Sequence, residues 1–537
     1  MINYEICLDI NRLFNIHTAV LGNSGSGKSN TIAHILHEVY RKSNNHAFGA
    51  KTIIFDANGE YPKAFGTDCR HNEKIEHVFY KPNIKDEDGY VPFYLPFYLL
   101  NLDEWLSFLM ASERTQKPFW DKVLQESYKF YKIFNTKEKD SELFANYVKW
   151  KLRQMLFTIV TRVESDTSKM TAAKGAIAKI KELCIPMTHN LNNHITEDLQ
   201  NFLEICTSLS FVSFGNNNNS LSDALSDFVQ SDENPLYVYI KNGNNKSVGT
   251  SKEKLPRSFK QINEEEALKV YEKKLKSGEY FDYKYLRIAV EIVLLEEEAR
   301  GNLHIRDFIS TMLSRLDFFL NNTECEFMRV GSGDFGNEQM YLQKIFGISD
   351  DNKRCKQLIT IDSSEVGTDI LELMTSVVSR MIFDYRKRKF DEERRKRPIH
   401  LILDEAHRYI RKDATYIMRE NIFEKIAREG RKYSLFLMIS SQRPSELSQT
   451  VLSQCGNYIV HRIQNEVDMK YIYSVLPYFS DDYTSKIKQA IPGEALIFGN
   501  CMPMPLMVKV TKAEPAPNSD NCIVNEEWFR LPKGENK

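Results

Sequence analysis

The chain has 537 residues, 42% of them hydrophobic, and 72 Lys and Arg against 73 Asp and Glu leave a net charge of −1. Such a length buries a large core and more than one structural unit. The balanced charge excludes a global basic field, so any nucleic-acid contact has to come from a local patch. Nine cysteines lie far apart, with no CxxC and no Cys/His cluster at zinc spacing, which fits reduced thiols in a cytosolic protein. Asp9, Asn11 and Arg12 interrupt the only early apolar run, and the apolar stretch from Tyr90 to Leu102 is short and carries Pro92 and Pro96. No signal sequence or membrane span is expected.

In chain order, the first legible unit is a short apolar strand, Thr18 to Leu21, running into GNSGSGKS and then a helix. Ile32, Ile35, Leu36 and Val39 give that helix one apolar stripe. Strand, glycine-rich loop and helix in this order form a phosphate cradle from Asn23, Ser24, Gly25, Ser26, Gly27, Lys28, Ser29 and Asn30. Lys28 is placed to reach the β- and γ-phosphates of ATP, and Ser29 to ligate Mg²⁺. A second strand, Lys51 to Asp56, ends in a carboxylate and the turn Ala57-Asn58-Gly59-Glu60. Ligands of open α/β sheets sit at this edge, so Asp56 reads as a catalytic or water-positioning group, with a plain turn carboxylate as the alternative.

From about Leu99 to Phe211 the texture becomes helical, charged and aromatic, as in Phe119 to Phe134 and Ser141 to Arg162. Farther on come a strand at Leu236 to Ile240, a loop at Lys241 to Lys254 and a charged helix through Glu291 to Arg300. Regular α/β order returns with the strand Gln357 to Asp362 and a helix from about Val366 to Lys389, capped by Ser363 or Ser364. The basic run Arg386 to Arg397 reads as a solvated helix end.

Pro398 to Leu403 is a buried-strand pattern that delivers Asp404 and Glu405, the Walker B arrangement. Asp404 is expected at Mg²⁺, and Glu405 as the base that orients and deprotonates water. The strand Leu435 to Ile439 then leads to Ser440-Ser441-Gln442, which places Gln442 near the γ-phosphate as a sensor. Arg431 precedes that strand. From there it can serve a neighbouring subunit's nucleotide as an arginine finger, a surface salt bridge being the other reading and the preferred one for Arg428.

Together GNSGSGKS, FDANGEY, LILDEAH and AREGRKYSLFLMISSQRPSEL resemble the HerA branch of the HerA/FtsK P-loop translocases. The resemblance covers residues 13–66 and 356–510, with IPGEALIFG similar to the family's closing strand. It implies an α/β fold with a RecA-like P-loop core and a large, mainly helical insertion. The expected division is 1–100 for the first part of the core, 101–350 for the insertion, 351–512 for the second part and 513–537 for a tail. It further implies a homo-hexameric ring around double-stranded DNA and an ATPase completed by an adjacent subunit's arginine. The effector partner is a nuclease or a sirtuin-like NAD-consuming protein, and a chain of this kind leans towards antiphage defence. Family members usually carry an amino-terminal β-barrel, which the 21 residues before Gly22 reduce to a remnant at most, and many P-loop members have Gly where Ser434 stands. An oligomeric ATPase scaffold that regulates an effector without translocation is the competing reading. A two-lobed DEAH helicase fares worse, because only 130 residues follow the motif and they complete the first sheet.

Overall fold

The computed structural model describes residues 4–134 and 263–519 apart from short breaks, scattered positions between 143 and 158, the backbone of 237–240 and 251–254, and positions 524 and 528. The short breaks are 67–74, 85–88, 332–334, 351–354, 413–420 and 477–480, with single positions at 43, 113 and 303. Much of the helical stretch expected at Ser141 to Arg162, and all of Asn216 to Asn219, lies outside the described residues.

The chain divides into two compact units. One holds 1–108, 321–330 and 335–537, and the other holds 109–320 and 331–334.

The first unit is built on a ten-stranded sheet. Its strands are β1 (His17–Leu21), β2 (Thr52–Asp56), β3 (His77–Pro82) and β4 (Val91–Phe93), then, past the pair β5 (Tyr237–Ile240) and β6 (Ser251–Lys254) of the second unit, β7 (Leu358–Asp362), β8 (Ile399–Leu403), β9 (Leu435–Ser441), β10 (Cys455–Val460), β11 (Glu494–Gly499) and β12 (Leu506–Lys509). The order across the sheet is β12-β11-β10-β1-β9-β8-β2-β7-β3-β4. All neighbours from β10 to β4 pair parallel, and the β11–β12 pair adds an antiparallel edge. Every residue of β1, β2, β7 and β9 is buried, as parallel strands covered by helices on both faces require. This is the RecA-like arrangement, with β9 inserted between the strand that feeds the glycine loop and the strand that ends in Asp404-Glu405.

Because the strands are parallel and in register, their carboxyl ends share one edge. Leu21 pairs with Ser441, Leu403 with Ile439 and with Phe55, and Asp56 with Asp362. The helix Lys28–Tyr40 buries Ile32 and Leu36 behind β1, with Ile35 and Val39 half-buried against the same core. The helix Thr368–Lys387 buries most of its length, from Ile370 to Arg386, and Arg380 donates to Glu104 at 2.6 Å. Its N-cap is Gly367 rather than a serine, because Ser363 donates its hydroxyl to the Asp56 carbonyl and Ser364 to the Asp362 carboxylate. Nor is Arg386 part of a solvated run. It is 4% exposed and donates to the carbonyls of Tyr433, Arg394 and Lys396, so the basic segment folds back over its own first residue.

In the second unit the helices Gln116–Phe134 and Tyr285–Ala299 are the longest described elements. Around them Glu126 accepts from Lys129 at 2.9 Å and from the Tyr147 hydroxyl at 2.9 Å. Ser251–Lys254, expected as loop, is instead the antiparallel partner of β5, since cross-strand pairing supplies the backbone partners that its charged sequence does not advertise. The described cysteines, Cys7, Cys325, Cys355, Cys455 and Cys501, are free thiols. No described helix is long and apolar enough to cross a membrane.

Candidate functional site

The glycine loop leaves β1 at its carboxyl end and is held by hydrogen bonds from three sides. Gly22 N–H donates to the Ser441 carbonyl at 3.2 Å, Asn23 N–H to that of Arg462 at 2.9 Å, and Gly493 N–H to that of Ser26 at 3.0 Å. Gly22 has φ +154°, and a Cβ there would sit 2.6 Å from the His461 Cβ and 2.7 Å from the Ser26 Oγ, so only glycine fits. His461 closes the fourth side. Its ring bonds Thr31 Oγ1 at 2.9 Å and the Glu494 carbonyl at 2.9 Å, and burial lowers its pKa to about 4, which keeps it neutral.

Ser24 and Gly25 form the exposed crest of the loop. Lys28 is 6% exposed and donates to the Asn23 carbonyl at 3.2 Å. Burial lowers its pKa, against the pull of Glu405, Asp404 and Glu60. Ser29 lies beside the Tyr61 hydroxyl. Asn30 does not turn to the loop as its grouping there predicts: its carboxamide donates to the Thr511 carbonyl at 3.1 Å and accepts from Ala513 N–H at 2.8 Å.

Asp404 is 2% exposed at the end of β8, and one of its oxygens has no hydrogen-bond partner. Burial pushes its carboxyl well above the usual range, reinforced by Asp56, Glu405 and Glu60. Glu405 follows in a left-handed backbone conformation, φ +45° and ψ +47°, a strained choice for glutamate of the sort that clusters at functional sites. It is 6% exposed, accepts from the Gln442 carboxamide, and has its second oxygen unpartnered at 3.3 Å from His407 Nδ1. Glu60, too, has a buried oxygen without a partner.

Asp56 departs from the catalytic reading. One of its oxygens accepts from the N–H groups of Asn58, Gly59 and Glu60, the nearest at 2.8 Å, and the other accepts from Tyr61 at 2.9 Å. Burial raises its pKa to about 7 even so. A carboxylate committed to four backbone donors holds the turn that carries Glu60 and Tyr61 and has nothing left for water.

Arg431 stands at the opposite edge. It is exposed, lies in the turn Gly430–Tyr433 before β9, and its charge is felt by His17 at the amino end of β1. Among the described residues its side chain makes no hydrogen bond or ion pair, and roughly 20 Å of strand separates it from the glycine loop.

Asp404 Oδ2, Glu405 Oε2 and Glu60 Oε2 are buried without hydrogen-bond partners, and all three carboxylates act on Lys28. No group of three described His, Cys, Asp or Glu side chains could hold a metal by itself, so a divalent cation here would draw its remaining ligands from water and from phosphate bound at the loop's N–H groups. The residues fit ATP and Mg²⁺. Among them Asp404 and Ser29 would hold the metal, and the metal would neutralise phosphate charge.

Residues 1–228 match the family model described as "Helicase HerA, central domain". Over this stretch the chain is similar to HerA-type P-loop ATPases. It is 28% identical over 281 residues to the DNA double-strand break repair helicase HerA of Sulfolobus acidocaldarius, covering 52% of this chain and 53% of that one. It is 25% identical over 262 residues to a probable helicase of Methanocaldococcus jannaschii, covering 45% and 49%. The chain thus spans about half the length of the curated relatives it matches. Among solved structures, VirB4 of Thermoanaerobacter pseudethanolicus aligns at TM-score 0.38 and 12% identity over 92% of this chain and 89% of that one. The plasmid coupling protein TrwB with ADP and Mg²⁺ aligns at 0.37 and 13% over 93% and 86%.

Three residues of this site escaped the sequence reading. Glu60 sits inside the quoted FDANGEY segment, and its buried carboxylate is a signal the motif carried unread. His407, in the DEAH segment, was weighed only as part of a helicase signature. His461 has no local pattern at all, since its place under the loop comes from β10 lying next to β1.

Proposed function

We propose that this chain hydrolyses ATP within a ring of copies, six by family resemblance, that grips or moves duplex DNA. It would work with a nuclease or NAD-consuming effector in antiphage defence. The observation that carries the reading is the split of functional groups between the two edges of one sheet. Lys28, Asp404, Glu405 and Gln442 converge where β1, β8 and β9 end, while Arg431 is free at the amino end of β9. Lys28 binds phosphate, Ser29 and Asp404 hold Mg²⁺, Glu405 is the base for water and Gln442 senses the γ-phosphate. Arg431 acts on the site of the next subunit. Asp56 supports the turn.

The test is ATP hydrolysis with Mg²⁺, measured with long duplex DNA and with short duplexes at equal base-pair concentration. A motor hydrolyses faster as the duplex lengthens. Hydrolysis indifferent to DNA would leave a nucleotide-regulated scaffold, and no hydrolysis at all would overturn the reading. Co-purification of a nuclease or NAD-consuming protein checks the partner.

A further inference from the structure

At the amino edge of the sheet, a cavity of about 240 Å³ lies between the segments leading into β2 and β7 and the carboxyl end of the helix Thr368–Lys387. Lys51 immediately precedes β2, so the length of that strand, roughly 16 Å, separates the cavity from the edge that carries the glycine loop. Five cations line it, Lys51, Arg386, Lys389, Lys396 and Arg397, against the carboxylates of Asp350 and Glu393.

The two most buried cations are held by neutral groups. Lys51 is 9% exposed, and its ammonium donates to the carbonyls of Phe346 at 2.7 Å, Cys355 at 2.6 Å and Lys356 at 2.7 Å. Arg386 is 4% exposed, and its Nε and Nη2 donate to the carbonyls of Tyr433 at 2.8 Å and Lys396 at 3.1 Å. Among the described residues neither cation forms an ion pair, and Arg386 Nη1 makes no hydrogen bond. Carbonyls satisfy donors without cancelling charge, and a buried cation lacking a counter-charge is costly. Burial accordingly lowers both pKa values, that of Lys51 to about 8. Nor is Asp350 available as the counter-charge, since it accepts from the Tyr385 hydroxyl at 2.7 Å and pairs with Lys389. Lys396 is exposed and makes no ion pair among the described residues.

We propose that this cavity binds a small molecule carrying a phosphate dianion, at a place separate from the ATP site. Arg386 Nη1 and the Lys396 ammonium supply the hydrogen-bond donors, and Lys51, whose three protons are committed, supplies charge alone. Phe48, Ile348 and Ile399 make part of the wall apolar, so a nucleoside monophosphate is held more tightly than orthophosphate. Nothing in this proposal depends on the chemistry assigned to the glycine loop.

Cys355 lines the same cavity and is half-buried, so the rate of its alkylation by N-ethylmaleimide, read by peptide mass spectrometry of the full-length chain, reports occupancy at this place. The probes are orthophosphate, pyrophosphate and AMP at millimolar concentration, with a short DNA duplex as a fourth arm. Wild-type, Lys28→Ala and Lys396→Glu proteins are compared, each checked for folding by circular dichroism. AMP is expected to slow Cys355 alkylation severalfold, equally in wild-type and Lys28→Ala protein. In Lys396→Glu protein about tenfold or more AMP should be needed for the same protection, because a charge-assisted donor is replaced by a repelling carboxylate.

No protection of Cys355 by any of the three phosphates would overturn the proposal. So would protection that folded Lys28→Ala protein loses, which would place the ligand at the glycine loop, or protection that Lys396→Glu leaves unchanged. Protection by the duplex alone would make this edge a nucleic-acid contact and overturn it as well. Lys396 is exposed, so Lys396→Glu carries the test by itself if Lys28→Ala does not fold.

Discussion

Ser434 sits at φ +52° and ψ +44°, in the left-handed region, as the residue that ends the Gly430–Tyr433 turn and starts β9. This conformation is one that favours glycine. A side chain there costs about 1–2 kcal/mol, while glycine's extra chain entropy costs about 0.5–1 kcal/mol. Ser434→Gly should therefore stabilise the protein by roughly 0.5–1 kcal/mol in denaturant titration, and Ser434→Val should destabilise it, because branching at Cβ worsens the clash. In the proposed reading, Lys28 and Glu405 should separate binding from chemistry. Lys28→Ala should abolish ATP binding, whereas Glu405→Gln should bind ATP normally and lose hydrolysis by two orders of magnitude or more. Equilibrium binding decides: a folded Glu405→Gln protein that fails to bind ATP would make Glu405 structural.

At the scale of elements, the amino ends of β1 and β8 carry a buried histidine, His17, and a half-buried one, His400, on either side of Phe436 of β9. His400 stacks on Phe436 with ring centres 5.3 Å apart and bonds the Phe14 carbonyl at 2.8 Å, and His17 accepts from Leu437 N–H at 2.9 Å. Burial lowers both pKa values to about 4. The sign follows from the proton count. Between pH 6.5 and 4 the unfolded chain binds protons that the folded chain refuses, so each histidine withdraws stability as pH falls through that window. His400→Gln keeps a donor for the Phe14 carbonyl and cannot titrate. Its stability relative to wild type should rise by up to about 3 kcal/mol between pH 7 and pH 4, read from urea unfolding at each pH. A difference that stays constant with pH would show that His400 is not buried neutral.

The strands themselves were legible in the sequence because β1, β2, β7, β8 and β9 are largely apolar runs, the first four closed by glycine or carboxylate and β9 by Ser440-Ser441-Gln442. What no local pattern carries is what the strand order brings together: His461 beneath the loop, Ser441 against Gly22, the carboxamide of Asn30 on the C-terminal segment. Asp56 shows the limit from the other side. Its position at a strand end suggested chemistry, and four backbone donors two to five residues away decided otherwise.

For the whole molecule, the proposed ring gives the sheet two working edges, with each site completed by a neighbour's Arg431. Arg431 is remote from its own loop, so Arg431→Ala protein should bind ATP and assemble while hydrolysis falls by about 10³-fold or more. Mixed with Lys28→Ala protein it should regain partial activity, because a mixed ring places an intact loop beside a neighbour that retains Arg431. Co-assembled mixtures that stay inactive at every ratio, with a linear loss on dilution by wild type, would put Arg431 in its own subunit.

The glycine loop is also fastened to the far edge of the sheet. Gly493 binds Ser26, Val510 N–H donates to the Gly493 carbonyl at 2.8 Å, and Asn30 spans Thr511 and Ala513. The strands β11 and β12 thus work as a lever whose short arm rests on the phosphate loop. Free-energy coupling is reciprocal, so a ligand that stiffens the loop must quieten the lever to the same extent that gripping the lever tightens the ligand. Hydrogen exchange at Leu506 to Lys509 should slow on ATP binding in the Glu405→Gln protein, and Asn30→Ala should uncouple the two ends: ATP still binds, and the strand no longer reports it.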